Sequence, residues 1–144
     1  MATIRQIIKN KGSEIWSVSP DDTVFNALIL MAEKEIGALL VMDNGHVCGI
    51  LSERDYARKV ILKGKSSKEL PVKEIMTSDI LYVEPGKSVE ECMALMTEKR
   101  IRHLPVMEDG VLQGIISIGD VVKAVISHKE FMIQQLEKYI HGSF

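Results

Sequence analysis

The chain has 144 residues, 46% hydrophobic and 26% charged, with a formal net charge of −2. That is enough apolar material for a proper core, while so small a net charge gives no global pull towards nucleic acid or an anionic membrane. Cys48 and Cys92 lie far apart, in apolar surroundings and without C-x-x-C spacing, which favours inert reduced thiols over a disulfide or a metal site.

In the opening stretch Ile4, Ile7 and Ile8 recur at helical spacing, and Asn10-Lys11-Gly12-Ser13 ends the pattern. A short amphipathic helix is predicted there, within an N-terminal segment 1–14. The stretch lacks the apolar core of a signal peptide, and no apolar run approaches a membrane span, so a soluble, cytoplasmic protein with no membrane partner is expected. Ile15 to Val18 reads as a strand closed by Ser19-Pro20, because Pro is poorly tolerated inside a central strand. Asp21, Asp22 and Thr23 supply helix-start chemistry for a helix with Val24, Ala27, Leu28, Met31 and Ala32 on one face, stopping near Gly37. Ala38 to Met42 and Val47 to Leu51 read as strands joined by a tight turn at Asn44-Gly45. From Ser52 a second helix runs through Val60 and Ile61 into the polar loop Lys63 to Lys68.

The connector, 67–79, contains LPVKEIM, which reads as one helical turn with Pro early, docking two halves together. From Ile80 the chain repeats its first half. Sliding the chain by 65 positions aligns Pro20 with Pro85, Met31 with Met96, Val41-Met42 with Val106-Met107, Gly49-Ile50 with Gly114-Ile115, Ser52 with Ser117 and Asp55 with Asp120. Two copies at so long a period argue for paired half-domains, 15–66 and 80–127, rather than a solenoid. The second copy is read as strand Ile80 to Val83, helix Val89 to Lys99, strands Leu104 to Met107 and Val111 to Ile116, and a helix after Ser117. The fold class is α/β, each half reading β-α-β-β-α, with the halves apposed about a pseudo-twofold axis to cover their sheets. In the remaining segment, 128–144, Phe131, Met132, Leu136, Tyr139 and Ile140 form an apolar helical stripe that either packs on its own domain or makes a dimer contact.

The two junctions GILSERDYA and GIISIGDVV carry the chemistry. In each, an apolar strand hands directly to a helix start, a place of free backbone N–H groups and positive dipole that suits an anion. A Ser hydroxyl can donate to phosphate and the Asp can accept from ribose hydroxyls. The same Ser-x-x-Asp spacing also makes a plain capping box.

With this element order, the Asn44-Gly45 turn, both Gly-x-x-Ser-x-x-Asp junctions and a connector ending in EIMT, the chain resembles the CBS-domain family over roughly Ile15 to Ile126. Specifically it is similar to a stand-alone tandem pair, a Bateman module, of the small bacterial and mitochondrial type. The resemblance implies adenine-nucleotide binding in clefts between the paired halves, with Asp120 and Asp55 on the ribose and Ser117 and Ser52 near the phosphates. AMP or NAD(H) is the ligand implied first and ATP another, with no metal.

The two copies differ where charge matters. Arg100, Arg102 and His103 stand where the first copy has Glu35, Gly37 and Ala38, so Arg102 and His103 are candidates for gripping phosphate, with Arg54 reaching the same region. Val18, Ala38, Ile80, Val83, Ile101 and Pro105 are candidates for an adenine slot or are ordinary core. Gly114 and Gly49 can let backbone approach closely, and Ile115 and Ile118 flank the second junction. Tyr82 replaces Ser17 and Glu53 replaces Ile118, so the cleft containing Asp120 is expected to be the better site.

The function expected is a regulatory module that senses energy or redox state through an adenylate and transmits it through a homodimer or a protein partner. The alternative is a ligand-free structural dimerisation adaptor. Catalysis is not expected, since there is no nucleophile–base arrangement, HExxH or Walker lysine loop, and His46, His103, His128 and His141 lack metal spacing.

Overall fold

The computed structural model describes residues 2–12 and 14–141. Ser13, placed by the sequence in the turn after the first helix, residue 1 and the terminal residues 142–144 lie outside the described residues. Element order is α1 (Ile4–Lys11), β1 (Ser17–Val18), α2 (Val24–Lys34), β2 (Ala38–Asp43), β3 (His46–Ser52), α3 (Glu53–Tyr56), α4 (Val89–Lys99), β4 (His103–Glu108), β5 (Val111–Ser117) and α5 (Ile118–Ile140). A wide π turn, Ala57–Ile61, follows α3, and a 3-10 turn occupies Val72–Glu74. The fold is mixed α/β, as the sequence pattern indicates. The chain divides into two compact units, Ile15–Leu81 and a second that joins the N-terminal stretch to everything from Tyr82 onward.

In the first unit, β1 pairs parallel with β2 and β2 antiparallel with β3. Asn44 and Gly45 both take positive φ, 51° and 80°, the geometry a two-residue hairpin needs to match strand twist. Thr23 caps α2 by accepting the Asn26 N–H, and Val24, Ala27 and Met31 turn into a core shared with Leu39, Val41, Leu51 and Val60. The connector closes this same core: Val72 and Ile75 are buried in it, and the Val72 and Lys73 N–H groups donate to Asp22 O and Pro20 O.

The second unit is built alike. Asp109 and Gly110 repeat the positive-φ turn, β4 pairs with β5 in the same register, and both hairpins carry an irregularity at the same place, Val41/Met42 and Val106/Met107. Its missing piece comes from the other end of the chain. Ile4 and Ile7 of α1 are buried with Val89, Cys92, Met96, Leu104 and Val121. The Ile4 and Arg5 N–H groups donate to Lys87 O and Pro85 O, the counterparts of the acceptors used by the connector. Residues 2–8 therefore do for the second unit what 70–76 do for the first. Gly114 permits the close approach, since a Cβ there would lie 2.9 Å from the Ile8 side chain.

Three expectations need correction. The first strand is only Ser17–Val18, and Ile80 to Val83 forms no strand: Val83 alone makes a bridge, to Val106. In the first copy Ser17 pairs with Leu40, whereas the residue in the place of Leu40 is Pro105, which has no N–H to extend a ladder. The helix after Ser52 is α-helical for four residues and then widens, Leu62 N–H donating back to Ala57 O, a π geometry that periodicity does not reveal.

Candidate functional site: two acid-capped helix starts

Both Ser-x-x-Asp junctions fold as capping boxes. Ser117 Oγ accepts the Asp120 N–H at 3.1 Å while Asp120 Oδ2 accepts the Ser117 N–H at 2.9 Å. In the first unit Asp55 Oδ2 accepts both the N–H and the hydroxyl of Ser52 at 3.0 Å. This reciprocal pairing satisfies two backbone donors at each helix start and fixes each carboxylate at the strand-to-helix corner. A third donor at each helix start is closed across the hairpin, Ile118 N–H onto Arg102 O at 2.8 Å and Glu53 N–H onto Gly37 O at 3.0 Å.

Each acid also carries a lysine. Lys11 Nζ lies 2.7 Å from Asp120 Oδ2 and 2.7 Å from Ile115 O. Lys59 Nζ lies 3.1 Å from Asp55 Oδ1 and 2.9 Å from Ile75 O, and Thr77 Oγ1 donates to the same Asp55 oxygen at 3.3 Å. Burial works to raise the Asp120 pKa, but the Lys11 and Ser117 hydrogen bonds and the Lys11 charge outweigh it and hold the carboxyl below its usual range. The His103 pKa is lowered as well: burial, Lys11 and Arg102 push it down against the pull of Asp120. The shift favours the neutral ring at neutral pH, in which one ring nitrogen donates an N–H and the other accepts.

The register places the other candidates. In the second unit His103 pairs with Ser117, Pro105 with Ile115 and Val106 with Gly114, while Val83 N–H donates to Pro105 O. Arg102, exposed, and Ile101, half-buried, precede β4, so Arg102, His103, Ser117, Ile118 and Asp120 are brought to one corner. In the first unit Ala38 pairs with Ser52 and Arg54 is exposed on α3. Val18, Ala38 and Val83 are core residues, each 9% exposed or less, and Ile80 is half-buried in the first unit. Sequence reasoning missed Lys11 and Lys59. Lys59 was detectable as an i,i+4 partner of Asp55, but Lys11 meets Asp120 only through the long-range docking of α1.

Asp120 also borders a groove of about 640 Å³ between α1 and α5, whose polar lining includes Gln6, Lys9, Lys11, Lys123 and His128. Of the residues expected to bind nucleotide, only Asp120 lines it. Among the described residues no three His, Cys, Asp or Glu side chains gather as a metal site.

The model of the CBS domain matches residues 4–62 and 72–127, and its two starts fall at equivalent points, α1 and the connector turn. The CBS domain-containing protein CBSX3, mitochondrial, of Arabidopsis thaliana is 41% identical over 99% of this chain and 73% of its own length. A solved structure of a protein with CBS domains from Burkholderia ambifaria MC40-6 is 56% identical with a TM-score of 0.85, covering 88% of this chain and 95% of that one. A hexameric CBS-CP12 protein from bloom-forming cyanobacteria matches at 31% identity and a TM-score of 0.76, over 85% and 71% of the two chains. With both repeats matched and the architecture shared, the chain belongs to the CBS-domain family, as a tandem pair.

Proposed function

We propose that this protein is a non-catalytic regulatory module that binds an adenine nucleotide, AMP or NAD(H) first and ATP as a third candidate. The observation that carries the reading is the duplicated corner: in both units a carboxylate is fixed at a helix start beside a serine, with a lysine at 2.7 Å from Asp120 and 3.1 Å from Asp55. A ribose diol donating to Asp120 takes over the bonds of Lys11, and the released ammonium, Arg102 and the neutral His103 supply donors for phosphate. Mass spectrometry of small molecules released from the purified protein, followed by calorimetry with AMP, NADH, ATP and adenosine, tests it. Asp120→Ala should weaken all four, and Arg102→Ala should harm AMP and NADH more than adenosine. Absence of heat with any adenylate at millimolar concentration would sink the reading.

A structural adaptor is the second reading, and α5 favours it. Val122, Ile126, Met132, Ile133, Leu136 and Ile140 lie along its length and are 42–75% exposed, a stripe of the kind that self-association covers. We infer that a second copy of the chain occupies it, in keeping with the hexameric relative, and that ligand binding is transmitted through this contact. We place the protein in the cytoplasm. Among the described residues no helix is long and apolar enough to cross a membrane.

A further inference from the structure

The groove between α1 and α5 has chemistry of its own. Its volume of about 640 Å³ lies within the range of small-molecule sites, roughly 300–1,000 Å³. Three lysines, Lys9, Lys11 and Lys123, face it with His128 against a single carboxylate, in a chain whose net charge is −2. That carboxylate, Asp120, is already matched by Lys11 at 2.7 Å, so the cation excess rests on Lys9 and Lys123, which make no ion pair among the described residues. Lys9 lies in the last turn of α1, where a cation complements the helix dipole. Lys123 has no such reason. It lies in the second turn of α5, towards the end where the dipole favours anions, and yet it turns to the same cavity. Gln6 and Ser127 add neutral polar groups, and Ile7 and Ala124 an apolar wall.

We propose that this groove is a second binding site, for a phosphorylated small molecule gripped by Lys9 and Lys123 with His128 beside them. Its phosphate is either the tail of a nucleotide or that of a separate metabolite. Lys11 and the acid it pairs with both line this groove, so the anion and a ribose on Asp120 compete for one ammonium or share it. The inference does not depend on adenylate binding.

The test is calorimetry of the full chain with pyrophosphate at low salt, alongside adenosine and ADP. One pyrophosphate should bind per chain, at least tenfold more weakly in Lys9→Ala/Lys123→Ala and in Lys123→Glu, while adenosine affinity stays unchanged in both because adenosine carries no charge. ADP displacing pyrophosphate identifies a nucleotide tail as the natural phosphate, and simultaneous binding identifies a separate metabolite. No pyrophosphate heat at millimolar concentration, or equal heat in both variants, overturns the groove site. Pyrophosphate binding with no heat from adenosine and no binding of ADP outside the groove overturns the adenylate reading and leaves the groove standing.

Discussion

Lys11 holds Asp120 from the far end of the chain, its ammonium 2.7 Å from Oδ2 across a sequence separation of 109 residues, while Lys59 holds Asp55 from the next turn of its own helix. Two copies of one motif thus keep the same charge pair by different routes. The position of Lys59 in the second copy is Ala124, and α1 supplies the missing cation.

Asp120 serves both the helix cap and the proposed ribose contact, and the two roles separate by measurement. Asp120→Ala should cost about 1 kcal/mol of stability through the lost cap. It should weaken adenylate binding by about 1.5–3 kcal/mol, the worth of a hydrogen bond to a charged group. Thermal melts and calorimetry on the same preparation check both, and a stability loss with unaltered affinity would confine Asp120 to the cap.

Acid should loosen the second unit in two steps. His103 is held below its ordinary pKa by burial, Lys11 and Arg102 against Asp120, so the unfolded chain takes up this proton first and stability falls as pH drops below about 6.5. Asp120, also depressed, contributes stability above the unfolded carboxylate pKa that is lost as pH falls through its lower folded value. Urea titrations from about pH 7.5 to 3 should show both slopes. His103→Gln should remove the upper one and Lys11→Met should flatten the lower one; unchanged slopes in the variants would assign the acid response to other groups.

Ile4 is fully buried in the second unit, so Ile4→Ala should cost about 2–5 kcal/mol. Exposed Phe25 on α2, truncated likewise, should cost far less. Chemical denaturation followed by circular dichroism compares them, and equal midpoints for Ile4→Ala and the parent would make α1 a bystander.

For α5 the expected outcome is a change of mass. If α5 self-associates as proposed, the parent should sediment as a dimer, and Ile133→Glu and Leu136→Glu should each give a monomer in sedimentation equilibrium without loss of helix content. A parent that is already monomeric at micromolar concentration removes the self-association reading.

The strand-helix-strand-strand-helix order was legible because local signals agreed. Asn44-Gly45 and Asp109-Gly110 demand positive φ, Thr23 and Ser88 cap their helices, and a single shift of 65 residues aligns both copies. The serine and aspartate of each corner were legible for the same reason. What escaped was non-local. Pro105 silences the second copy's first strand only because it stands opposite that segment in a ladder, and the widened turn at Ala57–Ile61 leaves the apolar spacing intact. The docking of α1 onto β5 and α5 joins residues more than 100 positions apart, as in Lys11 with Ile115. No window along the sequence registers such a pair, and with it went Lys11 and the groove.

That borrowed helix fixes an order of assembly. The half made first has its closing segment next door and can finish as soon as the connector leaves the ribosome. The half made second must wait on a helix that is synthesised ahead of the first half, with Ile4 and Ile7 left without their core while the intervening chain emerges. Closing so long a loop is slow, and a helix waiting in this way is open to the same seat on a neighbouring chain, which makes helix-swapped oligomers the natural misassembly of this protein during crowded synthesis.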